Sequence, residues 1–172
     1  MRTIPPSEQR EMPWRNGGGS TLEVFVQPAQ GRFAWRVSVA QVKEDGPFSL
    51  FDNYERHIMV LNGAGMDLHF NGGEMATLPP LQPYTFAGDV PAQARLHNGA
   101  VADFNLMVDR AYGRGRLTVM PAGRADRFEC TADHCLVYCL TGPSSGHATL
   151  LDKGEVCDLA ADMSAAICEI WR

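Results

Sequence analysis

No cluster of basic residues marks this chain, and no apolar stretch approaches the ~20 residues that a membrane-crossing helix requires. Lys and Arg number 15 against 20 Asp and Glu, a formal net charge of −5. That balance excludes nucleic acid as the expected partner. The opening segment, Met1 to Arg15, has no apolar core of the secretory type, so no membrane partner is expected and a cytoplasmic location is. Catalytic signatures are missing as well. The Gly17-Gly-Gly19 run lacks the Gly-Lys-Ser/Thr that completes a phosphate-cradling loop. No Gly-x-Ser-x-Gly elbow offers a hydrolase nucleophile. The cysteines (Cys130, Cys135, Cys139, Cys157, Cys168) form no Cys-x-x-Cys pair, so zinc is not expected. An odd number of them without a secretion signal argues against a disulfide framework. No catalytic residue, cofactor or metal is assigned.

What is present is ordinary globular material, 45% hydrophobic and 20% charged, and 172 residues suffice for one sizeable core. The 17 glycines and 11 prolines are scattered along the chain and interrupt nearly every window that could hold a long helix. Alternation with a period of two recurs instead. Phe33, Trp35, Val37 and Val39 alternate with Arg36 and Ser38; Met66, Leu68 and Phe70 with Asp67 and His69; Phe104, Leu106 and Val108 with Asn105 and Met107. Such runs are strands with one buried face, which leaves Asp67 and His69 on a wet face. Between them, Asn62-Gly-Ala-Gly65, Asn71-Gly-Gly73 and Asn98-Gly99 carry hairpin chemistry. The fold expected is all-β, a jelly-roll barrel or sandwich. A weak internal repeat relates His57–Leu78 to His134–Leu159: strand, glycine turn, strand, Gly-Glu turn, strand.

The stretch richest in chemistry is Met12-Pro-Trp-Arg-Asn-Gly-Gly-Gly-Ser-Thr-Leu-Glu23. Consecutive glycines allow positive φ and remove every Cβ that would hold a ligand off the backbone. A neighbouring Arg offers a planar fork matched to a carboxylate. Two readings follow: a site where a small anion meets the backbone, or a turn before the first long strand with Trp14 as a core plug. Further along, Trp35 supplies an apolar wall, Arg36 and Arg56 further guanidinium forks, and Ser38, His57 and Asn105 neutral hydrogen bonds. Arg36 alternates with Trp35, and Arg56 with His57, so a regular strand puts at most one of each pair into a given cavity.

The run Pro13-Trp-Arg-Asn-Gly-Gly-Gly-Ser-Thr21 resembles the opening signature of the HutD/Ves family. Phe33-Ala-Trp-Arg-Val-Ser-Val-Ala40, Phe48-Ser-Leu-Phe51 with Glu55-Arg-His57, and Asp103-Phe-Asn-Leu-Met107 resemble it in the same order. The likeness spans most of residues 10–110. It implies a cupin-like double-stranded β-helix over residues 1–172, arranged as a compact bicupin with repeats at about 1–110 and 111–172. Metal-dependent cupins carry two histidines two residues apart. None of His57, His69, His97, His134 and His147 stands in such a pair, so a metal-free protein is expected. The resemblance marks Trp14, Arg15, Asn16, Trp35, Arg36, Arg56 and Asn105 as motif positions. Gly17, Gly18, Ser20, Ser38 and His57 complete the expected ligand site. The HutD branch is associated with histidine utilisation. The function implied is non-enzymatic binding of a small carboxylate such as formylglutamate or urocanate, in an accessory or regulatory role. The alternatives are a metal-free isomerase or hydrolase acting on small acids and a Ves-like stress protein with an unrelated ligand. A homodimer is left open.

Overall fold

The computed structural model describes residues 1–15, 17–123 and 126–172. Asn16 lies outside the described residues. The strands run in order β1 (Arg2–Ile4), β2 (Arg10–Pro13), β3 (Gly19–Gln27), β4 (Trp35–Val42), β5 (Gly46–Pro47) and β6 (Tyr54–Asn62). There follow β7 (Met66–Phe70), β8 (Met75–Leu78), β9 (Tyr84–Ala87), β10 (Ala92–Leu96), β11 (Val101–Asp109) and β12 (Arg114–Met120). The last are β13 (Asp126–Glu129), β14 (His134–Cys139), β15 (Ala148–Asp152), β16 (Val156–Leu159) and β17 (Ala165–Trp171). One 3-10 turn, Pro6–Glu8, is the only helical element among the described residues. The expectation of an all-β chain holds.

These strands build four layers. A four-stranded sheet, β5-β10-β7-β8, covers one face of a six-stranded sheet, β2-β3-β4-β11-β6-β9. The other face packs on a five-stranded sheet, β1-β15-β14-β17-β12, which is covered in turn by the β13-β16 ribbon. The two-residue period decides which interface each side chain enters. In the six-stranded sheet, Trp35, Val37, Val39, Met59, Phe104 and Leu106 meet Leu117, Leu136, Tyr138, Cys168 and Ile170 of the five-stranded sheet. Their alternates Ala40, Val42, Ile58, Val60 and Val101 meet Met66, Leu68, Ala92 and Ala94 of the four-stranded sheet. A third apolar layer (Cys135, Val137, Leu151, Leu159, Ile167) lies under the ribbon. Central strands buried on both faces should be nearly all apolar, so Arg36, Ser38, Arg56, Asp103 and Asn105, all on one face, stand out.

Three points correct or refine the sequence expectations. Of the proposed hairpins, only the Asn71–Gly73 turn joins paired strands, β7 and β8. Asn62–Gly65 and Asn98-Gly99 are corners that carry the chain from one sheet to another, β6 to β7 and β10 to β11. Positive φ at Gly63 (104°), Gly65 (106°), Asn98 (52°) and Gly99 (107°) serves a corner as well as it serves a hairpin. Both halves of the sequence repeat show the expected order of strands, β6-β7-β8 and β14-β15-β16, but pair differently: β14 and β15 are neighbours, whereas β6 and β7 lie in different sheets. The N-terminal β1 also departs from the first group of strands and pairs with β15. Third, Cys130 and Cys135 form a disulfide, with Cα atoms 5.8 Å apart, while Cys139, Cys157 and Cys168 remain thiols. An odd cysteine count and a missing secretion signal say nothing about proximity, and the turn before β14 brings these two buried residues within bonding geometry.

Candidate functional site

Three rows of side chains cross the six-stranded sheet on the face toward the four-stranded sheet. Register aligns Arg36, Met107 and Arg56 in one row, Glu23, Ser38, Asn105 and Ile58 in the next, and Thr21, Ala40, Asp103 and Val60 in the third. The polar end of this face opens into a cavity of about 410 Å³. Pro47, Phe48, Ser49 and Phe51, at β5 and in the connection to β6, close one side, and Trp14 with Arg15 forms the other. Ile58 and Val60 continue the face into the apolar core, so the cavity is the wet end of the space between the six-stranded and four-stranded sheets.

Arg56 is the centre of the site. Only 6% of it is exposed. Its guanidinium lies among the rings of Phe48, Phe51 and Phe86, 5.2, 5.5 and 5.0 Å from their centroids. Nη2 donates to Asn105 Oδ1 at 2.9 Å, Nη1 donates to the Ser49 carbonyl at 3.3 Å, and Nε has no partner. Burial pulls its pKa down to about 10, with Asp103 opposing the shift and Arg36 adding to it, so the side chain remains a cation at neutral pH. Asn105 passes the contact on, donating from Nδ2 to Asp103 Oδ1. Arg36, on the neighbouring strand, donates from Nε to Glu23 Oε2 at 2.7 Å. Two guanidinium groups of the sheet thus converge on one cavity, with Arg15 at its rim, and of the two Arg36 is directly paired with a carboxylate.

Asp103 is 1% exposed, and its Oδ2 has no hydrogen-bond partner. Burial raises its carboxyl pKa from 3.8 to about 7, against the pull of Arg56 and the Asn105 hydrogen bond. A raised carboxyl favours the folded state at low pH. Its contribution is complete below the unfolded value near 3.8 and is lost as pH rises through about 7.

The structure brings together Trp14, Arg15, Arg36, Ser38, Arg56 and Asn105 from the expected set. Others go elsewhere. Trp35 is 1% exposed in the apolar layer behind the cavity, against Phe25 and facing His134. His57 shares that rear face, with Nδ1 2.8 Å from Thr85 Oγ1 and Nε2 3.0 Å from Glu55 Oε1, and lines a separate groove with Arg114, Arg116 and Trp171. Burial, its largest influence, lowers the His57 pKa, and Glu55 opposes the shift. The period-two rule explains both displacements: Arg36 and Arg56 take the cavity, so Trp35 and His57 cannot. Ser20 turns outward to donate to Glu11 Oε1 at 3.1 Å. The glycine run has backbone contacts of its own. Gly17 (φ 76°) closes a turn to the Trp14 carbonyl, and the Gly18 carbonyl accepts from Lys43 N–H. A Cβ on Gly19 would stand 2.0 Å from the Gln41 carbonyl oxygen and 3.0 Å from the Trp14 ring. The glycine run therefore seats Trp14, whose Nε1 donates to Thr21 Oγ1 at 2.8 Å, as a wall of the cavity.

Thr21, Ala40, Phe48, Ser49, Phe51, Asp103 and Met107 stand within the family-like segments but not among the expected ligand residues, and the cavity adds them together with Pro47. A signal for Asp103 was present, because it lies two residues from Asn105 on the same strand face. Among the described residues, no group of three or more His, Cys, Asp or Glu side chains is placed to hold a metal ion. Asp67 and His69 occupy the wetter face of β7, where Asp67 meets His97 Nε2 at 3.0 Å.

The HutD family model matches residues 6–167. A protein of Pseudomonas putida described as an uncharacterized 21.2 kDa protein in the hutC 3' region is 41% identical over 119 residues, 68% of this chain and 63% of that protein. The chain thus spans somewhat less than two thirds of that relative. Protein Ves of Cronobacter sakazakii is 37% identical over 132 residues, 75% of this chain and 70% of Ves. The solved structure of HutD from Pseudomonas fluorescens SBW25 superposes with a TM-score of 0.83 at 32% identity, covering 99% of this chain and 97% of that one. At the level of fold alone, a cupin 2 conserved barrel domain protein from Leptotrichia buccalis superposes with a TM-score of 0.56 at 9% identity, covering 87% and 88%. The cupin-like β-barrel expected from the sequence is the fold found.

Proposed function

Because this chain belongs to the HutD family, which is associated with histidine utilisation, we propose that it is an accessory or regulatory protein that binds a small carboxylate from histidine breakdown. Formylglutamate and urocanate are the candidates. The observation that carries the reading is the cavity itself: Arg36 and Arg56 converge on it, and the buried Arg56 keeps an unused Nε–H. A guanidinium recognises a carboxylate by paired, charge-assisted hydrogen bonds, and these strengthen where water is excluded. Trp14 and Phe48 provide flat walls for a planar or amide portion, and Ser38 and Asn105 provide neutral hydrogen-bonding groups.

A metal-free enzyme acting on the same acids is the second reading. It is favoured by Asp103, a buried carboxyl whose pKa is raised to about 7 beside the cavity, a range suited to general acid–base work. His57, whose pKa burial lowers, lies behind the sheet and lines a different groove. One experiment separates the readings. Calorimetric titration of formylglutamate and urocanate should give saturable heat for at least one of them. Prolonged incubation followed by proton NMR should return that compound unchanged. Saturable binding with conversion would establish the enzyme, and no heat for either compound would remove the ligand assignment.

A further inference from the structure

We propose that carboxylate binding in this cavity takes up a proton on Asp103, so that the site receives an anion and a proton together. The proposal rests on the carboxylate-binding reading above and adds its linkage to pH. Two buried polar atoms of the cavity lining have no partner within the protein, Arg56 Nε and Asp103 Oδ2. The first is a donor on a cation. The second belongs to a carboxyl whose other oxygen, Oδ1, already accepts from Asn105. Asn105 in turn accepts from Arg56, so one short chain of hydrogen bonds holds both residues.

A ligand carboxylate drawn to the unpaired Arg56 donor enters the cavity that Asp103 also lines. Two ionised carboxylates there would repel each other with little water to screen them. Protonation removes the repulsion and turns Oδ2 from an acceptor into an O–H donor, the one arrangement in which Asp103 and the ligand attract. The proton comes from solvent and remains on Oδ2, and no other bond forms or breaks. The surroundings keep it there. Beside Asp103 in its row stand Thr21, Ala40 and Val60. Across the barrel the four-stranded sheet offers Met66, Leu68, Ala92 and Ala94, with Tyr84 of β9 packed against that layer. The charged groups facing the site are Arg56 on β6, Arg36 paired with Glu23 on the far strands, and Arg15 at the rim. The free carboxyl, held near 7 by burial, is already poised to exchange its proton around neutrality.

Formylglutamate is the first probe and acetate, at high concentration, the minimal one. Both remain ionised between pH 6 and 8. Calorimetry in two buffers of different ionisation enthalpy should show uptake of about one proton per ligand at pH 8 and little at pH 6. Affinity should be about tenfold weaker at pH 8 than at pH 6. Asp103→Asn keeps the shape and a donor without the charge. It should bind with a flat pH profile, no proton uptake, and at pH 8 an affinity near that of the wild type at pH 6. Binding by the wild type without proton uptake overturns the proposal, as does an Asp103→Asn protein that retains the pH profile. Proton-linked acetate binding without formylglutamate binding would uphold the proposal and dismiss the histidine-derived ligand. Binding of neither probe would dismiss both.

Discussion

Phe104→Ala is expected to destabilise the protein by about 3–5 kcal/mol and to lower a single unfolding transition without splitting it. Phe104 has no exposed surface, lies on β11 at the centre of the six-stranded sheet, and meets the Tyr138 ring of the five-stranded sheet at 5.3 Å. Truncating it leaves a void between two sheets that are both covered on their other faces, so neither can move in to fill the space. The layer it occupies is shared by strands from both ends of the chain. The exchange of β1 onto β15 ties them further. Denaturant unfolding of wild type and variant should therefore show a lower midpoint at unchanged slope. A cost under about 1 kcal/mol, or two separated transitions, would mean that the two sheet pairs fold independently.

The second large effect is on binding. Arg56→Ala should weaken carboxylate affinity by about 1.5–3 kcal/mol, the scale of hydrogen bonds to a charged group. That corresponds to roughly 10- to 150-fold in Kd. The loss comes from the unpaired Nε–H and from the charge itself, and it leaves Asn105 Oδ1 without its donor. Arg56→Lys should recover only part of the affinity, because an ammonium keeps the charge and loses the planar fork between Phe48 and Phe86. Arg114 is the control: it is exposed, rests on Trp171 at 5.3 Å, and faces the groove that holds His57. Arg114→Ala should bind like the wild type. Equal affinity in Arg56→Ala and wild type would place the ligand elsewhere.

Much of this was legible in the residue pattern, because parity along a strand is a local property. Alternation through Trp35–Val42 and Phe104–Val108 gave the strands, and the same alternation required Arg36 and Trp35 to part company. Which of the two entered a cavity was not local. It depended on a third sheet, packed behind β4, that offered Trp35 an apolar surface. The two readings of the glycine run could not be separated for a similar reason. A sequence shows that Gly17-Gly-Gly19 lacks side chains but not what fills the space, and here Gln41 and Trp14 fill it. Turn residues marked the bends at Asn62–Gly65, Asn71–Gly73 and Asn98-Gly99 yet could not distinguish a hairpin from a corner, since both need positive φ. Asp103 was overlooked because an acidic residue beside an apolar strand looks like its solvated end, and its burial follows from the bulge and pairing around β11.

The position of the bound carboxylate is the most direct test. Titrating formylglutamate into isotope-labelled protein should move the NMR signals of the Trp14 indole N–H, the Asn105 side-chain amide and the Thr21 and Ser38 backbone amides, all in one saturable process. Signals of His57, Thr85 and Trp171, behind the sheet, should stay in place. Shifts centred on that rear groove, or none at saturating ligand, would contradict a carboxylate site built on Arg36 and Arg56.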